Sequence, residues 1–292
     1  LSMLEEAFRD AGASLSDIPG VFLPGRNPSN RSFVRDLDGL PLPESGDWIP
    51  ALQNIGSIWI PVQTRRGCAL DCSYCSTSTI EGRPVRSRSP EQVIRWLTEL
   101  SRAGYRNFNF VDNTFNIPQA YAEQLCRGIV QAEIGINWWC IIYPKWVDGR
   151  LVELMAKAGC RQVSLGFESG SNQVLKCMNK QFYPEQVSAI SRLFRAAGIQ
   201  QQCFLLLGGP GETKNTVEES LAFADSLGLD NLKISVGIRI YRGTQLARTA
   251  VAEQFIHAED DLLTPRFYVT PGLRYWLQAR VADYRASRPW VR

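Results

Sequence analysis

The sequence predicts an α/β chain: a partial (β/α)6 barrel with parallel strands, an irregular N-terminal lead-in and a helical C-terminal extension. Three observations predict it. From residue 57 onward, short apolar, β-branched runs alternate with longer amphipathic stretches, as in crossover units on a parallel sheet. Runs such as Phe204-Leu-Leu-Leu are apolar at successive positions, the pattern of strands buried on both faces. Six such units can be found, whereas eight close the common barrel.

The elements follow in order. Residues 1–56 form the lead-in. Leu1 to Asp10 reads as a short amphipathic helix rather than a signal peptide. Turn formers fill Ile18-Pro-Gly and Leu40-Pro-Leu-Pro-Glu-Ser-Gly. The barrel spans residues 57–240, with strands expected at Ile58–Gln63, Asn107–Val111, Trp138–Ile142, Gln162–Gly166, Cys203–Leu207 and Leu232–Gly237. Between them the periodicity predicts helices at Pro90–Ala103, Gln119–Glu133, Gly149–Ala158, Pro184–Ala197 and Thr213–Leu227. Pro90 and Pro184 sit where a first helical turn accepts proline. Gly104, Gly159 and Gly198 stand just past helix ends, where a left-handed cap is needed. The extension, residues 241–292, reads as helices Thr244–Gln254 and Leu273–Ala286, packed across the barrel mouth or side.

Composition bounds the function. Hydrophobic residues make up 45% of the 292 and charged residues 21%, ordinary values for a globular chain. The net charge of +3 gives no argument for a nucleic-acid partner. Arg65, Arg66, Arg83, Arg86 and Arg88 cluster, and read as a solvated basic edge. No apolar run approaches the ~20 residues that span a bilayer. Of eight cysteines, three are crowded and five are scattered, which is no disulfide framework and suits a reducing cytoplasm. Cys126, Cys140, Cys160, Cys177 and Cys203 read as small buried apolar residues.

In parallel α/β folds, chemistry gathers at the C-terminal ends of strands. That rule selects the loop after the first strand, Asp112-Asn113, Tyr143, Glu168-Ser169, Gly208–Glu212 and Arg239–Tyr241. The first loop carries the strongest signal, Arg65-Arg66-Gly67-Cys68-Ala69-Leu70-Asp71-Cys72-Ser73-Tyr74-Cys75. A closed zinc site needs a fourth Cys or His, and the only histidine in the chain is His257. Three thiolates on a four-iron cluster leave one iron open, and an open position marks a catalytic metal site. A zinc knuckle or simply buried thiols are the bland alternatives.

This Cys-x3-Cys-x2-Cys spacing, with an aromatic before the last Cys, resembles the radical S-adenosylmethionine (SAM) superfamily. The resemblance extends over Val111-Asp112-Asn113-Thr114-Phe115, over Val163 to Gly170 with Met178-Asn-Lys180, and over Leu207 to Thr213. It implies a partial six-unit barrel and a 4Fe–4S cluster on Cys68, Cys72 and Cys75. It implies that SAM binds the open iron and is cleaved to methionine and a 5′-deoxyadenosyl radical, which takes a hydrogen atom from substrate. A flavodoxin or ferredoxin would supply the electron. Cofactor-binding candidates follow from the matched positions. Tyr74 would lie near the adenine, and Glu168 would meet ribose hydroxyls, with a helix-capping or salt-bridging acid as its alternative; Ser169 beside it is a further cofactor-binding candidate. Asp112 would meet the SAM amino group or a substrate, or form a turn. Lys180 and Arg239 would pair with the SAM carboxylate. Gly208 and Gly209 would let backbone approach a ligand, or make a tight turn.

The lead-in Asp17-Ile-Pro-Gly20 and Asp36 to Pro43, with the tail Gly237 to Arg248 and Phe267 to Pro271, is similar to the cobalamin-dependent branch of that superfamily. The branch implies cobalamin as a further cofactor and small-molecule or natural-product substrates. Residues 1–56 are too few for a cobalamin domain, and an Asp-x-His-x-x-Gly motif cannot be written with His257 alone. Three readings stand: C-methylation with cobalamin bound elsewhere, hydrogen abstraction leading to rearrangement, cyclisation or bond formation, and a non-catalytic iron–sulfur or zinc scaffold. A tRNA methylthiotransferase is not expected, because no second cysteine cluster exists. Trp138, Trp139, Tyr143 and Trp146 line a substrate cavity or pack as ordinary core. His257, in an acidic stretch, reads as a surface residue.

Overall fold

The computed structural model describes residue 21, residues 32–43 and residues 58–292. The expected Leu1 to Asp10 helix and the Ile18-Pro-Gly turn lie outside the described residues. Six strands form one parallel sheet in sequence order: β1 (Trp59–Val62), β4 (Asn107–Phe110), β5 (Asn137–Ile142), β6 (Cys160–Glu168), β7 (Gln200–Leu207) and β8 (Asn231–Val236). Unbroken strand order with helical crossovers is the topology of an unclosed barrel.

The crossovers are α2 (Pro90–Arg102), α3 (Gln119–Gln131), α4 (Gly149–Lys157), α6 (Pro184–Ala196) and α7 (Lys214–Ser226). Their starts are chemically marked. Ser89 accepts the amide of Gln92, and Asp148 accepts that of Leu151 at 2.8 Å. Gly159 shows why a glycine closes α4: at φ +94°, a Cβ there would meet the carbonyl oxygen of Ile136 at 1.9 Å.

Burial corrects one expectation. The strands are not buried equally on both faces. In β7, Cys203, Leu205 and Leu207 are fully covered, while Phe204 and Leu206 are only partly so. The crossover helices cover the outer face alone, so the inner face is left to line the barrel. Polar residues therefore belong to the strands: β6 and β7 begin earlier than expected, at Cys160 and Gln200. Ladder hydrogen bonding extends a strand whether or not its inward side chains are apolar.

Smaller elements escaped the pattern. An antiparallel hairpin of β2 (Arg65–Arg66) and β3 (Arg86–Ser87) brackets the cysteine loop, which also holds the short helix α1 (Thr77–Glu81). Helix α5 (Asn172–Cys177) follows β6. At the barrel's end, β9 (Ile238–Arg239) pairs antiparallel with β10 (Phe267–Tyr268) of the extension, flanked by α8 (Gln245–Ala252) and α9 (Arg274–Ala286). Ile238, Ile240, Leu246 and Tyr268 form a second apolar cluster that packs on Tyr74 and Leu206. The extension therefore lies against the cysteine loop, at the mouth.

Two further expectations change. Cys126, Cys140, Cys160 and Cys203 are buried, but Cys177, at the end of α5, is exposed. The arginine cluster is not one solvated edge, because Arg65 and Arg88 are buried. Arg88 donates to the carbonyls of Leu37 and Leu40, which ties the lead-in to the start of α2. Among the described residues, no helix is long and apolar enough to cross a membrane.

Candidate active site

The site is built on the loop leaving β1. Its root is fixed by Asp112, just past β4. One carboxylate oxygen accepts the amides of Thr64 and Arg65 at 2.7 and 2.9 Å. The other accepts the Thr64 hydroxyl at 2.6 Å and the Arg65 guanidinium at 3.0 and 2.7 Å. Both side chains are almost wholly buried, at 2% and 1% exposure. Arg65 also faces the rings of Tyr121 and Phe115 at 4.5 and 5.4 Å. A carboxylate so fully engaged is the foundation of the loop. The sequence expectation for Asp112 is the SAM amino group, a substrate or a turn; here its carboxylate is held by Thr64 and Arg65.

Cys68, Cys72 and Cys75 are all partly exposed and free of disulfides. Burial pushes the Cys68 and Cys72 thiols above their ordinary range, and the neighbouring thiolates raise them further. For Cys72 the Lys180 ammonium acts in the opposite direction. Three cysteines on one loop, mutually within electrostatic reach, fit a cluster that takes each thiolate at a separate iron. Among the described residues, no group of three or more His, Cys, Asp or Glu side chains is drawn in around a single-ion position. Three cysteine thiols on one loop are the donor type that iron–sulfur clusters take.

Beside the thiols sits a polar trio. Glu168 Oε1 accepts the Tyr74 hydroxyl at 3.0 Å and the Lys180 ammonium at 3.2 Å, and Lys180 also donates to the Tyr74 oxygen at 3.0 Å. Lys180 is 4% exposed and Glu168 13%. Burial pulls the Lys180 pKa down, but Glu168 and then Tyr74 pull it up further, so it stands well above the usual lysine range. Tyr74 is pushed well above the phenol range by burial, with Glu168 adding to the shift. Lys180 also faces the rings of Tyr74, Tyr143 and Phe182 at 5.1, 5.9 and 6.0 Å. Glu168 sits at φ +61°, where the β6–β7 register slips between Gly166 and Glu168. The bulge re-aims the strand-end carboxylate.

The other expected residues divide. Ser169 is fully buried; its hydroxyl pairs with that of Ser220 at 2.9 Å and accepts the amide of Ser171 at 3.0 Å. It holds the turn. The amides of Gly208 and Gly209 are both taken by Glu212 Oε2 (at 3.1 Å for Gly209), and Thr270 donates to both carbonyls. This is a self-closed turn rather than an open cradle. Sequence reasoning placed Glu212 in the loop without seeing that it would close it. Arg239 is different. Its Nε is buried without a hydrogen-bond partner, while its guanidinium lies 4.8 Å from the Tyr241 ring. A buried, unpartnered guanidinium nitrogen on a half-buried arginine suits an anionic group of a ligand.

Of the aromatic candidates, Trp138 is core, packed edge-on against Phe110 at 5.1 Å. Tyr143 stacks on Trp146 at 6.2 Å and accepts the amide of Gln181 at 2.9 Å. Trp139 is partly buried on the inner face, and Trp146 is 44% exposed. His257 is exposed, on a 530 Å³ groove of the extension with Arg242 and Arg248.

Comparison with known proteins agrees with this geometry. The family profile described as "Radical SAM superfamily" matches residues 62–224, over half the chain. An uncharacterized methyltransferase of Pyrococcus horikoshii is 28% identical over 235 residues, covering 79% of this chain and 50% of its own. The cytidylyl-2-hydroxyethylphosphonate methyltransferase of Streptomyces wedmorensis is 27% identical over 290 residues, covering 90% and 53%. The chain thus spans about half the length of the curated relatives it matches. The radical SAM methyltransferase TsrM of Kitasatospora setae, solved with tryptophan and a SAM analogue, shares the fold at TM-score 0.70 and 24% identity, over 80% of this chain and 52% of that one. A second structure of TsrM holds cobalamin and a [4Fe-4S] cluster.

Proposed function

The chain belongs to the radical SAM superfamily, and from that premise we propose that it reductively cleaves SAM at a 4Fe–4S cluster and abstracts hydrogen from a small-molecule substrate for methylation. The observation that carries this reading is the three-thiol loop seated beside the buried Tyr74–Glu168–Lys180 trio. Cys68, Cys72 and Cys75 would hold the cluster, which supplies, when bound, the electron that splits SAM.

The chain's own residues set the rest. Lys180 keeps a positive charge beside Cys72, which offsets the charge of the thiolates and suits the SAM carboxylate. Glu168, fixed by two donors, presents a carboxylate for ribose hydroxyls. Tyr74 offers an aromatic face to the adenine. The unpartnered Arg239 Nε serves an anionic end of SAM or substrate. A flavodoxin or ferredoxin would deliver the electron at the exposed side of the loop. Methylation rests on the relatives' names, and adds cobalamin bound by polypeptide beyond residues 57–240 or by a separate protein.

The test is anaerobic turnover of the reconstituted chain with SAM and a strong reductant, with and without methylcobalamin. Mass spectrometry would quantify 5′-deoxyadenosine and S-adenosylhomocysteine. Both products, the second dependent on cobalamin, support methyl transfer. Deoxyadenosine alone supports abstraction chemistry without it. Neither product, from protein carrying an intact cluster, sinks the enzyme reading in favour of a scaffold.

A further inference from the structure

The cysteine loop has a second anchor that cofactor chemistry does not explain. The Gly67 peptide, one residue before the first thiol, is gripped on both sides. Its N–H donates to Glu81 Oε2 at 2.9 Å, and its carbonyl accepts Asn113 Nδ2 at 3.2 Å. Asn113 Nδ2 also donates to the same Glu81 oxygen at 2.7 Å. The adjoining amide of Cys68 donates to the Gly82 carbonyl at 3.0 Å. Gly67 itself is pressed in place: at φ +97°, a Cβ would meet the Pro84 carbonyl oxygen at 2.2 Å.

Position makes this triangle more than a turn. Glu81 ends α1, which begins two residues after Cys75, so the Glu81–Gly67 contact joins the two ends of the segment that carries all three thiols. Closing a loop at its neck removes chain entropy that cluster binding would otherwise have to overcome. Asn113 ties that closed neck to the end of β4, beside the Asp112 foundation. We propose that Glu81 and Asn113 are positioning residues: a clamp that holds the cysteine loop in its cluster-binding shape and in register with the barrel. This inference rests on the cluster reading above.

The experiment uses the full chain, reconstituted anaerobically, as wild type, Glu81→Ala, Glu81→Gln and Asn113→Ala. Cluster loss to an iron chelator is followed by visible absorbance, and thermal melting of the metal-free forms checks folding. Glutamine keeps an oxygen that accepts both donors, so Glu81→Gln should match wild type. Glu81→Ala and Asn113→Ala should lose the cluster roughly tenfold faster, the scale of one hydrogen bond. They should also weaken the change that SAM makes in the EPR signal of the reduced cluster. A folded Glu81→Ala chain with wild-type cluster loss overturns the clamp, as does a Glu81→Gln chain as labile as Glu81→Ala. If metal-free Glu81→Ala does not melt cooperatively, Asn113→Ala decides in the same way. A wild-type chain that takes up no cluster overturns the underlying reading as well.

Discussion

At Lys180, burial and neighbouring charge act in opposite directions, and charge wins. Its ammonium is held against Glu168 and Tyr74 inside a box of aromatic rings. Breaking one member of a buried pair strands the other. Lys180→Met should therefore destabilise the metal-free chain by about 3 kcal/mol in urea unfolding, and raise the KM for SAM. Asp112→Asn strands Arg65 in the same way and should cost about 3–5 kcal/mol. Because Thr64 and Arg65 occupy the Asp112 carboxylate at the root of the loop, its folded fraction should show lowered cluster content with the KM for SAM unchanged. An Asp112→Asn chain that is stable but binds SAM poorly would contradict that assignment. The difference between the two was not legible in sequence: both residues stand in motifs that match the family. Only the pairing of Asp112 with Thr64 and Arg65, residues 47 and 48 positions away, separates them.

The turn after β7 shows what an element can conceal. Gly208 to Glu212 reads in sequence as a glycine-rich ligand cradle or a tight turn, and the structure makes it the turn. Glu212 folds back onto the amides of Gly208 and Gly209, is only 3% exposed, and leaves Oε1 without a partner. Burial raises its pKa from an ordinary 4.5 to about 7. Below the ordinary value the carboxyl is protonated in both states, and its effect on stability does not vary. As pH rises towards 7 the unfolded chain releases the proton while the folded chain keeps it, so stability falls. The fall should be roughly 3 kcal/mol across that window and should level off above it. Melting midpoints from pH 4.5 to 8 check this, and Glu212→Gln should flatten the slope. Gly209→Ala should cost little by comparison, because the atoms its Cβ would approach, Ile238 Cδ1 at 2.9 Å and Met178 Cε at 3.1 Å, are the free ends of flexible side chains. The long elements were legible because their periodicity and caps agree: Pro90 after Ser89 starts α2 as read. The β2–β3 hairpin, α1 and α5 were not, being too short to show a period. Their cause is tertiary, as when the Cys68 amide pairs with Gly82.

Over the whole molecule, the partial barrel supplies six strand ends and the extension covers part of the mouth they form. Apolar contact between the extension's cluster and Tyr74 fixes the cysteine loop from above, and Leu246 donates its amide to the Ser73 carbonyl at 2.8 Å. The chain spans about half the length of the curated relatives it matches. The claim on which everything else depends is that Cys68, Cys72 and Cys75 bind a four-iron cluster with one iron open to SAM. The measurement that tests it is EPR of the reconstituted, dithionite-reduced chain before and after SAM, with iron and sulfide counted per chain. The account predicts about four of each, a signal that shifts when SAM is added, and loss of both in Cys72→Ala. An unshifted signal, a tightly bound zinc in place of iron, or a Cys72→Ala chain with a full cluster would contradict it.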